Sequence, residues 1–121
     1  MSHILLIDDD EDMLALTGRW LEKGGYRVSK ASSGKEALSF LDQEKPDLIL
    51  LDYAMPEMNG PEVLKAIRMR PDCSGIPIIY RTGLDDTDAA NTDGEFKADG
   101  IVSKSEGKGA LMKAVAGINL S

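Results

Sequence analysis

The stretch Leu48-Ile49-Leu50-Leu51-Asp52-Tyr53-Ala54-Met55-Pro56 decides how the rest of the chain is read. Four aliphatic residues run directly into an acid, and a proline follows four positions later. So short an apolar run reads as a strand buried on both faces. Proline has no N–H for a central ladder, so the strand ends before Pro56. Asp52 then stands at the carboxyl end of a buried strand. In open parallel sheets that edge is where ligands bind. A carboxylate at the rim of an apolar core points to chemistry rather than packing.

The amino-terminal stretch repeats this grammar. Ile4-Leu5-Leu6-Ile7 leads into Asp8-Asp9-Asp10-Glu11-Asp12. Five consecutive acids repel one another unless a positive charge sits among them. Asp10 and Asp12 suit the cap and first turn of a following helix. Asp8 and Asp9 fall at the strand end, level with Asp52 if the two strands are neighbours. They are candidate metal ligands.

Outward from these two stretches, strands and helices alternate. Helical spacing from Met13 to Lys23 stops at Gly24-Gly25. A strand is expected from Tyr26 to Ala31. Ser33-Gly34-Lys35-Glu36 has the form of a capping box and opens a helix through Leu41. Asn59-Gly60 makes a turn, and Pro61 suits the first position of a helix that continues to Arg70. A fourth strand is expected from Ile76 to Tyr80, followed by Arg81 and Thr82. A short helix is expected between Leu84 and Gly100, where apolar residues are sparse. Ile101-Val102-Ser103 reads as a fifth strand ending at Lys104, and a last helix is expected from Gly109 to Ile118.

Five strand-to-helix units imply an α/β fold: a doubly wound parallel sheet with helices on both faces. The flavodoxin-like order 2-1-3-4-5 is the usual solution, with its switch point between the first and third strands. That order brings Asp8, Asp9 and Asp52 side by side, with Thr82 and Lys104 at the next strand ends.

Composition bounds the function. The 121 residues suit a single domain over the whole chain. A formal net charge of -7 argues against nucleic-acid binding, which needs a basic face. One cysteine, Cys73, precludes an internal disulfide and favours a reducing compartment. His3 is the only histidine, which excludes a His-based triad or a multi-histidine zinc site. No segment is long enough to span a bilayer and no signal peptide is visible, so a cytoplasmic location is expected.

Three converging carboxylates outweigh Lys104, and a divalent cation resolves the repulsion. Mg2+ prefers oxygen ligands and keeps several waters, so two carboxylates and the backbone carbonyl of Ala54 suffice. A metal beside a carboxylate, a hydroxyl and an ammonium suits phosphoryl transfer. Asp52 is the candidate nucleophile, Lys104 the charge stabiliser, and Thr82 a donor to a phosphoryl oxygen. The bland readings are that Thr82 caps a helix and Lys104 is a surface lysine.

Taken together, Asp8-Asp9, Asp52 in Leu-Leu-Asp-Tyr-Ala-Met-Pro, Asn59-Gly60, Thr82, and Lys104 after Ala98-Asp99-Gly100 resemble the receiver domains of bacterial two-component response regulators. The resemblance covers essentially the whole chain. It implies that a sensor histidine kinase or a histidine phosphotransfer protein donates a phosphoryl group to Asp52. It implies Mg2+ held by Asp9 and Asp52, with Asp8 assisting through water, and a downstream protein target. It also implies that Thr82 moves toward the phosphate, changing the face formed by the last strand and its flanking helices.

Three departures from the family pattern stand out. Ile101 occupies the position three before the lysine, where an aromatic residue usually rotates with the threonine. Ser105 replaces the usual proline after the lysine, which removes the main reason for a cis bond. Pro77-x-x-Tyr80-Arg81-Thr82-Gly83 loosely resembles a receiver subgroup whose motif reads Phe-Ala-Thr-Gly and which also lacks the switch aromatic. Tyr80 shares strand parity with Thr82 and is expected to replace the missing aromatic in part. An aspartate-nucleophile phosphatase would need an acid at Ala54. A flavin protein would need a hydroxyl- and glycine-rich loop, not acids, after the first strand. The remaining alternative is a degenerate receiver that binds partners without phosphorylation.

Overall fold

The computed structural model describes residues 2–83 and 98–118. Five parallel strands lie in the order β2-β1-β3-β4-β5: β1 (His3–Ile7), β2 (Arg27–Ala31), β3 (Leu48–Asp52), β4 (Ile78–Thr82) and β5 (Gly100–Ser103). Among the described residues the helices are α1 (Glu11–Lys23), α2 (Gly34–Leu41), α3 (Gly60–Arg68) and α4 (Gly107–Ala116). This is the doubly wound, flavodoxin-like arrangement expected from the alternation of elements.

The period-2 alternation of each strand divides the core into two layers. Leu5, Ile7, Ile49, Leu51, Ile78 and Tyr80 face Ala37 and Leu41 of α2 and Val63, Leu64 and Ile67 of α3. Ile4, Leu6, Leu48, Leu50, Ile79 and Val102 face Leu14 and Leu21 of α1 and Leu111 and Val115 of α4. Burial on both faces explains why β1 and β3 read as continuous apolar runs rather than as alternation.

Local signals set the helix starts. Asp10 accepts from the backbone N–H groups of Asp12 and Met13, so α1 begins two residues before the expected Met13. Ser33 caps α2 through Glu36 N, as the Ser-x-x-Glu pattern requires. Asn59 and Glu62 form a reciprocal capping box with Pro61 beside them.

The fourth strand and the last helix depart from expectation at both ends. The fourth strand runs from Ile78 to Thr82, two residues later than expected. Pro77 offers only its carbonyl, which accepts from Ile49 N, and Ile78 N donates to the Asp99 side chain. Arg81 and Thr82 therefore belong to the ladder, paired with Val102 and Ser103. The last helix starts at Gly107, after a 3-10 turn over Lys104–Glu106 capped by Ser103, and ends at Ala116. The helix expected between Leu84 and Gly100 falls mostly on residues outside those described. Among the described residues no peptide bond is cis, which agrees with Ser105 following Lys104.

Candidate functional site

Register brings the strand ends together. Ile7 of β1 pairs with Leu51 of β3, so Asp8 lies level with Asp52. Asp8 continues the parity of Ile4 and Leu6, and Asp52 that of Leu48 and Leu50. Both carboxylates therefore lie on the α1/α4 side of the sheet. Asp8 is 1% and Asp52 5% exposed, whereas Asp9 is open to solvent. One carboxylate oxygen each from Asp8, Asp9 and Asp52 lies within 4.8 Å of the other two.

Lys104 bridges the two buried acids. Its Nζ lies 3.0 Å from Asp8 Oδ2 and 3.2 Å from Asp52 Oδ1. The other Asp8 oxygen accepts from Asp10 N at 3.0 Å. Thus Lys104 is a member of the acid cluster rather than a free surface lysine. Thr82, 1% exposed, ends β4 one step beyond the residue level with Asp52. Ala54 is exposed on the loop leaving β3.

The electrostatics follow from burial. Loss of water pushes the Asp52 carboxyl up to about 7, with Asp8 adding repulsion and Lys104 opposing both. Burial works against the Lys104 ammonium, but Asp8 and Asp52 more than offset it and hold its pKa above the ordinary value. The cluster is poised to accept further positive charge. Its donors are carboxylate oxygens with no nitrogen or sulfur ligand in the group. That set suits a hard, oxygen-seeking divalent cation.

The loop after β3 is held tightly. Gly60 N donates to Tyr53 O at 2.8 Å. A Cβ at Gly60 would lie 2.7 Å from Tyr53 Cα and 2.8 Å from Asp52 O, so only glycine lets α3 start this close to the acid. Between them, Met58 N reaches back to Pro56 O at 2.7 Å around Glu57, whose φ is 65°. Such backbone strain collects at functional sites. Asp9, Asp12, Ser33, Met55 and Glu57 border an open cleft of about 680 Å3 beside the acids.

Two further residues were not expected here. Tyr53 meets Tyr80 edge to face, ring centroids 5.3 Å apart, next to Asp52. Arg81, given no role in the sequence, is buried on the α1/α4 face beside Asp52. Its two-residue spacing from Ile79 was the available signal.

The family model for the response regulator receiver domain matches residues 4–116. The chain belongs to that family. A probable cyclic di-GMP phosphodiesterase of Vibrio cholerae is 45% identical to this receiver over 80 residues, covering 66% of this chain and 18% of that protein. The response regulator SaeR of Staphylococcus aureus is 39% identical over 82 residues, covering 68% and 35%. The receiver thus spans well under half the length of these relatives. Among solved structures, the receiver domain of a signal transduction histidine kinase from Syntrophus aciditrophicus aligns with a TM-score of 0.85 at 30% identity, covering 96% of this chain and 88% of that one. The chemotaxis response regulator CheY4 of Vibrio cholerae aligns with a TM-score of 0.83 at 28% identity, covering 96% and 97%. Among the described residues no helix is long and apolar enough to cross a membrane.

Proposed function

We propose that this receiver accepts a phosphoryl group on Asp52 and signals through protein contacts, without turning over a substrate of its own. The observation that carries the reading is the convergence of Asp8, Asp9 and Asp52 around the Lys104 ammonium at the sheet's carboxyl edge.

Asp9 and Asp52 would hold Mg2+, with the Ala54 carbonyl. Both Asp8 oxygens are already engaged, by Lys104 and Asp10 N, which favours an assisting role through water. When bound, the ion neutralises charge on the phosphoryl oxygens. The donor is a phosphohistidine on a kinase or phosphotransfer protein. A carboxylate oxygen of Asp52 forms the new O–P bond as the donor's P–N bond breaks. The bonding pair stays with the imidazole nitrogen, which takes up a proton. Lys104 stabilises charge on the transferring group from its position against Asp52. Thr82 donates to a phosphoryl oxygen once the group is in place.

Occupancy then biases a two-state equilibrium read by a downstream protein. The Tyr53–Tyr80 contact gives an aromatic path from the residue after Asp52 to the strand carrying Thr82. The domain acts as one unit, without nucleic-acid or membrane contacts, in the cytoplasm. A phosphorylation-independent interaction module is the competing reading, favoured by Ile101 and Ser105 standing where the aromatic and proline are usual.

The test is phosphorylation by acetyl phosphate, followed by intact mass with Mg2+ and with EDTA. A single Mg2+-dependent phosphoryl adduct, lost in Asp52→Asn, is expected. A folded protein that takes no adduct under either condition contradicts the reading.

A further inference from the structure

The sheet carries one more charge beside the acid cluster. Arg81 is 2% exposed and is the register partner of Asp52 on β3. It follows Ile79 on the face that also carries Asp8 and Asp52. A guanidinium taken out of water is costly unless something compensates it. Its Nη1 donates to Thr17 Oγ1 at 2.8 Å, a neutral partner on α1. Its Nε is buried and has no hydrogen-bond partner among the described residues. Burial draws the Arg81 pKa below its ordinary value, and the charges of Asp8 and Asp52 oppose that. The acids thus act on the buried arginine through space, from the strand end with which it is in register.

We propose that Arg81 is a built-in counter-charge that sets how tightly the acid pocket holds a divalent cation. This rests on the receiver reading of the pocket. The three carboxylates with Lys104 alone carry a formal charge of -2, and Arg81 makes it -1. An incoming cation meets less attraction and a fixed like charge that cannot move into solvent, because Thr17 and the sheet hold it. Adjacent strands are about 4.8 Å apart, and a side chain adds to that, so the separation is on the order of 10 Å. At such a separation, a unit charge against a divalent ion near a protein–water boundary changes affinity roughly tenfold. Arg81 acts through the pocket's charge and is a positioning residue, not a group that touches the phosphoryl donor.

The test is calorimetric titration of Mg2+ into the parent receiver and into Arg81→Gln, Arg81→Met and Arg81→Lys, with folding checked by circular dichroism. The Gln and Met variants are expected to bind Mg2+ about tenfold more tightly, and the Lys variant within twofold or so of the parent. Gln keeps a polar donor near Thr17, so it carries the test if Met fails to fold. Equal affinity in the parent and a neutral variant overturns the proposal. A Lys variant that binds as tightly as Gln overturns it too, because the effect is then one of shape. A parent that binds no Mg2+ at all would instead overturn the reading of the pocket on which the proposal stands.

Discussion

Asp52→Asn is expected to stabilise the metal-free protein at neutral pH and to leave its stability at acid pH unchanged. The Asp52 carboxyl sits at about 7 in the folded protein against 3.8 for an ordinary aspartate, chiefly because burial strips its water. A raised carboxyl pKa means that the folded state holds this proton more tightly than the unfolded state does. Its contribution to stability is therefore complete below about pH 4 and is lost as pH rises through about 7. At about 1.4 kcal/mol per pH unit, the displacement from 3.8 to about 7 corresponds to roughly 4 kcal/mol. The cleft beside the acids is open, and solvent screening brings that to about 2 kcal/mol. For a chain of 121 residues this is a rise in Tm of about 8 °C at pH 8. The assay is urea and thermal unfolding in EDTA from pH 4 to pH 8. The parent should lose stability across that window while the variant stays flatter, the curves meeting near pH 4. Curves that run parallel from pH 4 to pH 8 would refute the burial argument.

Other perturbations probe the same frame. Lys104→Met removes the ammonium that bridges Asp8 and Asp52 at 3.0 and 3.2 Å. The rate of phosphorylation by acetyl phosphate should fall at least about tenfold, read by intact mass against time. Gly60→Ala places a Cβ 2.7–2.8 Å from the Asp52 and Tyr53 backbone. It should cost about 1–3 kcal/mol in urea unfolding and slow phosphorylation by shifting the acid. Tyr80→Leu removes the edge-to-face contact with Tyr53, worth about 1 kcal/mol beyond its buried area. Backbone NMR shifts on phosphorylation should then shrink around β4 and β5, and an unchanged pattern would count against Tyr80 as the replacement switch residue.

Most of the frame was legible because local and global signals agree. Apolar runs ending in acids mark β1 and β3, and Ser33 and Pro61 mark helix starts by their local chemistry. What was hidden depends on contacts distant in sequence. Arg81 shows no role in the sequence until Thr17, 64 residues away, supplies its partner on α1. The start of β4 is set by the Asp99 carboxylate on Ile78 N, a bond across 21 residues. In the site, Asp8, Asp9, Asp52 and Lys104 were nameable from strand ends alone. That Lys104 spans the two buried acids, and that a second cation is buried alongside, required the register of β4 and β5.

The central claim is that Asp52 is the phosphoacceptor, and borohydride reduction reads it at the residue itself. The phosphorylated protein is reduced, digested and mapped by peptide mass, since an aspartyl phosphate becomes homoserine. The account predicts homoserine at position 52 and at no other acid of the cluster. Homoserine at Asp8 or Asp9 with Asp52 intact would contradict it.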